Sequence, residues 1–191
     1  MICVGITGSY ASGKTFVLNY LADLGFMTFS ADEYIKDLYK ELAIQNIILN
    51  LLPDLKIFNK RKIAELIYAN DSSRNELQNF IHPFVVEGLS LFKRQNNDSE
   101  ITFAEIPLLF EAEFDKYFDF YVTTFCLEKS RLKRAMSREG FSLTTYNKIA
   151  QIQLSQQIKI AKADFVINTD VNIVDLDKQI TQLIQELKCS N

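Results

Sequence analysis

The stretch Gly8-Ser9-Tyr10-Ala11-Ser12-Gly13-Lys14-Thr15 decides the fold. It matches the pattern G-x-x-x-x-G-K-[ST], in which glycines let successive backbone N–H groups converge on one phosphate. The apolar run Ile2–Ile6 before it predicts a strand buried on both faces. The segment 13–24 after it predicts an amphipathic helix. A strand, a glycine-rich loop and a helix in this order favour a phosphate-binding loop over a chance turn.

The loop also carries the side chains that phosphate chemistry needs. Lys14 supplies a mobile positive charge for the β- and γ-phosphates of a nucleotide, and the hydroxyl of Thr15 can ligate Mg²⁺. The helix that begins near Gly13 adds the positive end of its dipole. The sequence therefore predicts a nucleoside triphosphate site.

Short apolar runs alternate with longer amphipathic ones along the rest of the chain. This alternation predicts an α/β fold of three layers around a five-stranded parallel sheet. The further strands are expected at Met27–Phe29, Ile101–Ile106, Tyr117–Cys126 and Phe165–Ile167. Helices are expected near 129–139, 144–162 and 174–188, and in most of 32–96, with breaks near Pro53, at 70–73 and around His82-Pro83.

The composition excludes several classes of protein. The chain has 191 residues, with 21 Lys and Arg against 24 Asp and Glu, a net charge of −3 that disfavours a nucleic-acid partner. No apolar stretch reaches the roughly 18 residues of a membrane span, and the first residues lack the charged start of a signal peptide. Three widely separated cysteines indicate free thiols. We therefore expect one cytoplasmic domain with no membrane partner.

Two classes of P-loop protein compete at this point. A regulatory GTPase would carry D-x-x-G and N-K-x-D motifs, and the stretch 59–62, Asn-Lys-Arg-Lys, lacks the final acid. A small-molecule kinase needs an acid near the acceptor hydroxyl, a pocket for the acceptor and an arginine-bearing lid. The sequence offers all three, which favours a kinase.

Asp32 is the candidate acid. It follows the second strand, which we expect beside the first, and would face the phosphate loop across the carboxyl edge of the sheet. There it would accept the proton of the acceptor hydroxyl or orient that hydroxyl. Ser30 and Glu33 form a capping box, so helix capping is the alternative reading of this segment.

Three further features each allow two interpretations. Arg131, Arg134 and Arg138 share one helical face, which is either a solvated surface or a lid over the phosphates. Glu105, at the end of the third strand, is either a core residue or an acid near the metal. His82 is either structural or catalytic.

Taken together, these segments resemble the dephospho-coenzyme A kinase family. The similarity runs from the first strand to about residue 167 and rests on motifs that occur in family order. They are Gly5–Gly8 with the loop, Ser30-Ala31-Asp32, Arg61, Ile81-His82-Pro83, Ile106–Glu111, Arg134-x-x-x-Arg138-x-Gly140, Gln153, Lys159 and Ala163-Asp164. The histidine–proline and P-L-L-F-E segments narrow the choice, because many families share the loop alone.

The resemblance implies phosphorylation of the ribose 3′-hydroxyl of dephospho-coenzyme A by ATP with Mg²⁺, the last step of coenzyme A synthesis. It assigns Asp32, Lys14 and Arg138 to catalysis and Thr15 to the metal. Nucleotide contacts are expected from Gly8, Ala11, Ser12, Gly13, Lys14, Thr15, Phe16, Arg134 and Arg138. Acceptor contacts are expected from Thr7, Asp32, His82, Pro83, Leu108 and Leu109.

The family fold implies a nucleoside-monophosphate-kinase-like core (about 1–31, 100–127 and 163–191), an acceptor-side helical region (32–99) and a small lid (128–162), in a monomer or weak homo-oligomer. Ser9 and Ala11 replace glycines common in the family, Glu105 stands where Asp is usual, and Asn168-Thr169 replaces Asp-Asn. Another P-loop kinase, of nucleoside monophosphate or shikimate type, and a non-catalytic nucleotide switch are the alternatives.

Overall fold

The sheet of the computed structural model, which describes residues 1–189, has five strands that all run parallel. They are β1 (Ile2–Gly8), β2 (Met27–Ser30), β3 (Ile101–Glu105), β4 (Phe120–Phe125) and β5 (Phe165–Asn168). Their order across the sheet is β2-β3-β1-β4-β5. The carboxyl ends of all five strands therefore meet at one edge, and the predicted parallel sheet is confirmed.

The position of β2 differs from the expectation. It pairs with β3, not with β1, so that Ser30 lies beside Glu105 in the register. All residues of β1 and β3 are buried, whereas β2 is half-exposed, with Met27 exposed. A strand with exposed side chains fits an edge of the sheet, and the fully apolar strands take the centre.

Helices cover both faces of the sheet. Within residues 1–189 they are α1 (Lys14–Asp23), α2 (Ala31–Leu38), α3 (Leu42–Leu51), α4 (Lys60–Ala69), α5 (Asp71–Gln95), α6 (Glu128–Met136), α7 (Leu143–Ile152), α8 (Gln156–Lys162) and α9 (Ile173–Cys189). Val4 and Ile6 of β1 share a core cluster with α1 and α9. Cys3 points the other way, into the cluster formed with α2 to α5. The alternation of side chains along one strand thus separates two cores.

Helix α5 runs through the expected break at Pro83. A proline cannot donate a hydrogen bond to the carbonyl one turn earlier, which favours a helix end. Here Leu77, Ile81, Val85 and Leu89 recur every four residues and are all buried in one core. The packing of this continuous apolar stripe outweighs the loss of one hydrogen bond.

Two other boundaries also differ. The single helix expected over 144–162 is divided into α7 and α8, because the side chain of Ser155 caps a new helix by accepting from the N–H of Ile158. The strand expected from Tyr117 begins only at Phe120, after a short 3₁₀ helix at Asp115–Tyr117. The aromatic residues that suggested a strand there pack into the core around α5 instead.

Helices α2 and α5 come into close contact at a glycine. A Cβ atom added to Gly88 of α5 would lie 2.6 Å from Cζ of Tyr34 on α2. Because α2 begins at Ala31, this contact helps to set the position of Asp32 above the sheet.

The described chain has no helix long and apolar enough to cross a membrane. The division into core, acceptor-side region and lid stays a prediction, and residues 190 and 191 of the predicted core lie outside the described part.

Candidate active site

The loop between β1 and α1 forms a tight backbone turn. Gly8 and Gly13 have φ angles of 150° and 98°. A Cβ atom on Gly8 would lie 2.3 Å from Oγ1 of Thr124, whose hydroxyl is hydrogen-bonded to Ser12 at 2.6 Å. Ala11 has a φ of 63°. The loop therefore takes a phosphate-binding shape without the two glycines usual in the family at positions 9 and 11.

An alanine at position 11 has a packing role. Its side chain is buried in a small cluster with Ala135 of α6 and Tyr146 of α7. The backbone N–H of the neighbouring Tyr10 donates to Oε1 of Gln153 at 2.7 Å. These contacts fasten the predicted lid region to the phosphate loop.

Lys14 is buried beneath this loop. Its Nζ donates to the carbonyl oxygens of Gly8 at 3.1 Å and Ser9 at 3.2 Å. Burial lowers the pKa of Lys14 to about 8, although the charges of Glu105 and Asp32 act in the opposite direction. At neutral pH most of the lysine is therefore charged, and it is held where a phosphate would meet it.

Glu105 lies against Thr15 at the end of β3. The hydroxyl of Thr15 donates to Oε1 of Glu105 at 3.2 Å, and Oε2 of Glu105 is buried without a hydrogen-bond partner. Burial raises the pKa of Glu105, while Lys14 lowers it. A buried, unsatisfied carboxylate oxygen is costly unless a cation or a donor satisfies it.

A cavity of about 440 Å³ opens in front of the loop. Of the predicted nucleotide-binding residues, those that line it are Ala11, Gly13, Lys14, Thr15, Phe16, Arg134 and Arg138. Gly8 and Ser12, which also belong to the loop, do not line the cavity. Cavities of this size accommodate substrates of the size of a nucleoside.

Asp32 lines the same cavity from the first turn of α2. Its side chain is exposed and makes no hydrogen bond or ion pair with any residue in the range 1–189. Ser30 caps α2 by accepting from the N–H of Glu33, which is one half of the predicted capping box, whereas the carboxylate of Glu33 pairs with Lys36. Capping therefore leaves the carboxylate of Asp32 available to a ligand.

The prediction that three arginines share one helical face is wrong, because α6 ends at Met136 and Arg138 lies beyond it. The surroundings of the three side chains also differ. Arg131 contacts Glu128 and Tyr146 and does not line the cavity. Arg134 donates to the side chain and backbone oxygens of Thr169 at 2.8 and 2.7 Å. The guanidinium of Arg138 lies over the ring of Tyr10, 4.7 Å from its centroid. Of the two arginines in this group that line the cavity, Arg138 is thus the more movable.

The predicted acceptor residues fall into two groups. His82 and Leu108 line the cavity, and the His82 ring lies edge-on to Phe114 with 5.2 Å between centroids. Pro83 does not line it. Leu109 is fully buried against Gly5 in the core, where an added glycine Cβ would lie 2.5 Å from its Cδ1.

Thr7 is also absent from the cavity wall. It is buried, and its hydroxyl accepts from Nζ of Lys159 at 3.0 Å and donates to the carbonyl of Pro107 at 3.2 Å. Lys159 is completely buried and forms an ion pair with Glu111 at 2.9 Å. Glu111 in turn accepts from the N–H of Leu154. This network, which we call the Lys159 network (Thr7, Pro107, Glu111, Lys159), ties α8 to the end of β1.

Sequence reasoning missed most of the acceptor wall. The missed side chains come from three helices and one loop and are Ile35, Ile67, Tyr68, Arg74, Gln78, Val85 and Phe114. Most of them read as ordinary positions of amphipathic helices, and only their common placement around one cavity distinguishes them.

The cavity has a phosphate-binding loop on one wall and a carboxylate without a protein partner on another. This combination defines a P-loop kinase. The dephospho-CoA kinase family profile matches residues 2–175 of the chain. A curated dephospho-CoA kinase of Rickettsia typhi is 57% identical over 189 residues, which cover 99% of both chains. The chain therefore belongs to the dephospho-CoA kinase family, and the resemblance deduced from its motifs is confirmed.

Solved structures agree with this assignment. A structure described as dephospho-CoA kinase from Campylobacter jejuni is 26% identical, with a TM-score of 0.67 over 99% of this chain and 98% of that one. TT1252 from Thermus thermophilus, at 24% identity, shares the fold with a TM-score of 0.81 over 97% of both chains. The predicted class of enzyme, a small-molecule P-loop kinase of coenzyme A synthesis, is confirmed, and a nucleotide switch is not favoured.

Proposed function

We propose that this cleft transfers the γ-phosphoryl group of ATP to the ribose 3′-hydroxyl of dephospho-coenzyme A. The observation that carries the proposal is the exposed, unpartnered carboxylate of Asp32 in one cavity with the buried amine of Lys14. A phosphoryl transfer needs an acid that receives or orients the acceptor hydroxyl and cations that neutralise the moving phosphoryl group.

The nucleotide occupies the phosphate loop. Backbone N–H groups of Ala11, Gly13 and their neighbours surround the phosphates, and Nζ of Lys14 exchanges its contacts with Gly8 and Ser9 for phosphate oxygens. Arg138 leaves the ring of Tyr10 and closes over the transferred group. Arg134, fixed by Thr169, supports the same charge from the side.

The residues around Thr15 fit Mg²⁺. Hard oxygen donors are what this ion prefers, and the hydroxyl of Thr15 and the unsatisfied Oε2 of Glu105 provide two of them within one site. When bound, the ion would offset charge on the phosphate oxygens. Glu105 thereby serves as the metal ligand in place of the aspartate that is usual in the family.

Asp32 acts on the acceptor. It lies at the start of a helix, faces the phosphate loop across β3, and carries no competing partner among residues 1–189. We assign it to orient the 3′-hydroxyl and to accept its proton as the bond to phosphorus forms. Catalysis then consists mainly of positioning and charge neutralisation.

We further propose that the enzyme acts in the cytoplasm as a monomer or weak homo-oligomer and binds no nucleic acid. The free thiols of Cys3, Cys126 and Cys189 support the cytoplasmic location, and the net charge of −3 supports the absence of a nucleic-acid partner.

An acceptor panel tests the proposed reaction. ADP release is measured with ATP, Mg²⁺ and, in turn, dephospho-coenzyme A, AMP, CMP and shikimate. We expect turnover with dephospho-coenzyme A to exceed that with each other acceptor by at least about 100-fold, because the other acceptors lack groups that the cleft contacts. Preference for another acceptor, or ADP release that no acceptor stimulates, would contradict the proposal.

A further inference from the structure

The cavity in front of the phosphate loop continues into a second one of about 460 Å³. The two share six wall residues, Tyr68, Arg74, Gln78, His82, Leu108 and Ile152. Away from the loop the first cavity has apolar walls, which include Ile35, Ile67, Val85 and Phe114. The second has polar and charged walls that include Asn75, Lys148 and Gln151. A ligand that spans both must be apolar at one end and polar or charged at the other.

Four cations line the first cavity within residues 1–189, and three of them belong to the nucleotide. Lys14 lies under the phosphate loop, and Arg138 covers Tyr10 of that loop. Arg134 is held at 2.7–2.8 Å by Thr169. The fourth, Arg74, comes from α5 and lies where the two cavities meet.

Arg74 is placed to bind an anion. Its side chain is only 17% exposed, and its single partner within residues 1–189 is Asp71, which Nη1 meets at 2.9 Å. Asp71 is 84% exposed, and such surface pairs hold an arginine weakly. The Nε and Nη2 donors face no protein acceptor among the described residues. A guanidinium in this condition can bind a phosphate group with two parallel hydrogen bonds.

Two carboxylates, those of Asp71 and Glu111, also line the second cavity, and each is paired with a cation. Lys148 of α7 also lines this cavity, is half-buried, and makes no ion pair with residues 1–189. Glu111 also lines it, but its carboxylate is paired with Lys159 at 2.9 Å and accepts from the N–H of Leu154. Arg74 and Lys148 are therefore the two cations available to a ligand with two negative charges.

We propose that the second cavity is the subsite for the 5′-diphosphate of the acceptor, with Arg74 as its main ligand and Lys148 as the second. This proposal rests on the proposed function. The reacting 3′-hydroxyl must lie at Asp32, and the adenine fits the apolar walls. The 5′-carbon is bonded to C4′, next to C3′, and projects from the opposite face of the ribose to the 3′-hydroxyl. A hydroxyl that points at the phosphate loop therefore directs the diphosphate away from the loop, into the second cavity. Recognition of this group distinguishes the acceptor from free nucleosides.

Binding measurements with two ligands test the subsite. The Kd values of dephospho-coenzyme A and of adenosine, which lacks the diphosphate, are measured by calorimetry, with adenosine titrated as a competitor at millimolar concentration. For Arg74→Met we expect the Kd of dephospho-coenzyme A to rise about 10- to 100-fold, as expected for a lost charge-assisted contact. The Kd values of adenosine and ATP should change by less than about 3-fold, because neither ligand enters the second cavity.

Three variants complete the design. Lys148→Met, on another helix, should raise the Kd of dephospho-coenzyme A by about 3- to 10-fold and decides the question if Arg74→Met does not fold. Arg74→Lys keeps the charge but not the fork, and should recover part of the affinity. Lys62→Met removes an exposed charge from α4, outside both cavities, and should change nothing.

An unchanged Kd of dephospho-coenzyme A in Arg74→Met and Lys148→Met would overturn the subsite, as would an equal loss of adenosine affinity. Because binding is measured without turnover, these results are independent of the acceptor panel. Failure of the wild-type protein to phosphorylate dephospho-coenzyme A would instead reject the proposed reaction.

Discussion

The two ends of the cleft are built in different ways. At the nucleotide end, backbone groups and small side chains interlock, and most polar atoms have a protein partner: Ser12 with Thr124, Lys14 with two loop carbonyls. At the acceptor end, side chains from separate helices meet, and Asp32 and Lys148 have no hydrogen-bond partner in the described chain. The nucleotide end is thus preorganised before its ligand binds, whereas polar side chains at the acceptor end have no protein partner and can bind the ligand.

The largest expected effect is at the nucleotide end. Lys14→Ala should lower kcat/KM by about 10³-fold or more, because it removes the preorganised positive charge that stabilises the transferred phosphoryl group. The fold should survive, since burial makes this charge costly to the folded state. Steady-state kinetics and the thermal midpoint of unfolding measure both effects. Near wild-type turnover would show that the loop does not hold the reacting phosphates.

The acceptor end should respond differently. Asp32→Asn should lower kcat by about 10²- to 10³-fold, as expected when a group that handles the acceptor proton is lost, and should leave the Kd of ATP within about 3-fold. Glu33→Gln, an adjacent and exposed change, serves as the matched control. If Asp32→Asn mainly weakened ATP binding, the separation of roles between the two ends would be wrong.

The pKa of Lys14 gives the nucleotide end a distinct pH dependence. Its value of about 8 means that the amine loses its proton as pH rises through 8. Since ATP binds the charged form, the Kd of ATP should rise by up to about tenfold per pH unit above that point, with proton uptake on binding. Lys14→Arg stays charged and should abolish this slope. A Kd independent of pH between 7 and 9.5 would contradict the assignment.

Where the two ends of the cleft join, we expect the smallest effect on turnover and a large effect on the free energy of unfolding. Lys159→Met leaves the carboxylate of Glu111 buried without its cation and should cost about 3 kcal/mol or more of unfolding free energy. The double variant Lys159→Met/Glu111→Gln should regain most of this loss. Thermal or urea unfolding measures it, with exposed Lys162→Met on the same helix as control. Equal stability of the single variant and the wild type would mean that the Lys159 network contributes nothing to the fold.

The difference between the two ends also explains what the sequence can predict. The phosphate loop is eight consecutive residues whose glycines and lysine all serve phosphate binding, so a sequence pattern identifies it. The acceptor wall draws single residues from helices far apart in the chain, and Arg74 or Tyr68 has no local signal. Even the resemblance that pointed to Lys159 and Gln153 could not show that one ties α8 to β1 and the other holds Tyr10.

Local rules also failed where long-range packing decided the outcome. Pro83 suggests a helix end, but the buried stripe from Leu77 to Leu89 extends beyond it. Leu109 belongs to an acceptor motif in the sequence, yet the absence of a side chain on Gly5 makes room for it in the core. Neither result follows from the neighbours of these residues in the chain.

The contact between Gly88 and Tyr34 has a consequence for how this enzyme can vary. The ring of Tyr34 occupies the space of the missing side chain, so α2 packs on the backbone of α5 through this ring. Any larger residue at 88 would act as a spacer and displace the helix that carries Asp32. Residue 88 contacts no ligand, yet it thereby helps to fix the distance of the Asp32 carboxylate from the acceptor. A substitution there would lower activity without changing any catalytic group.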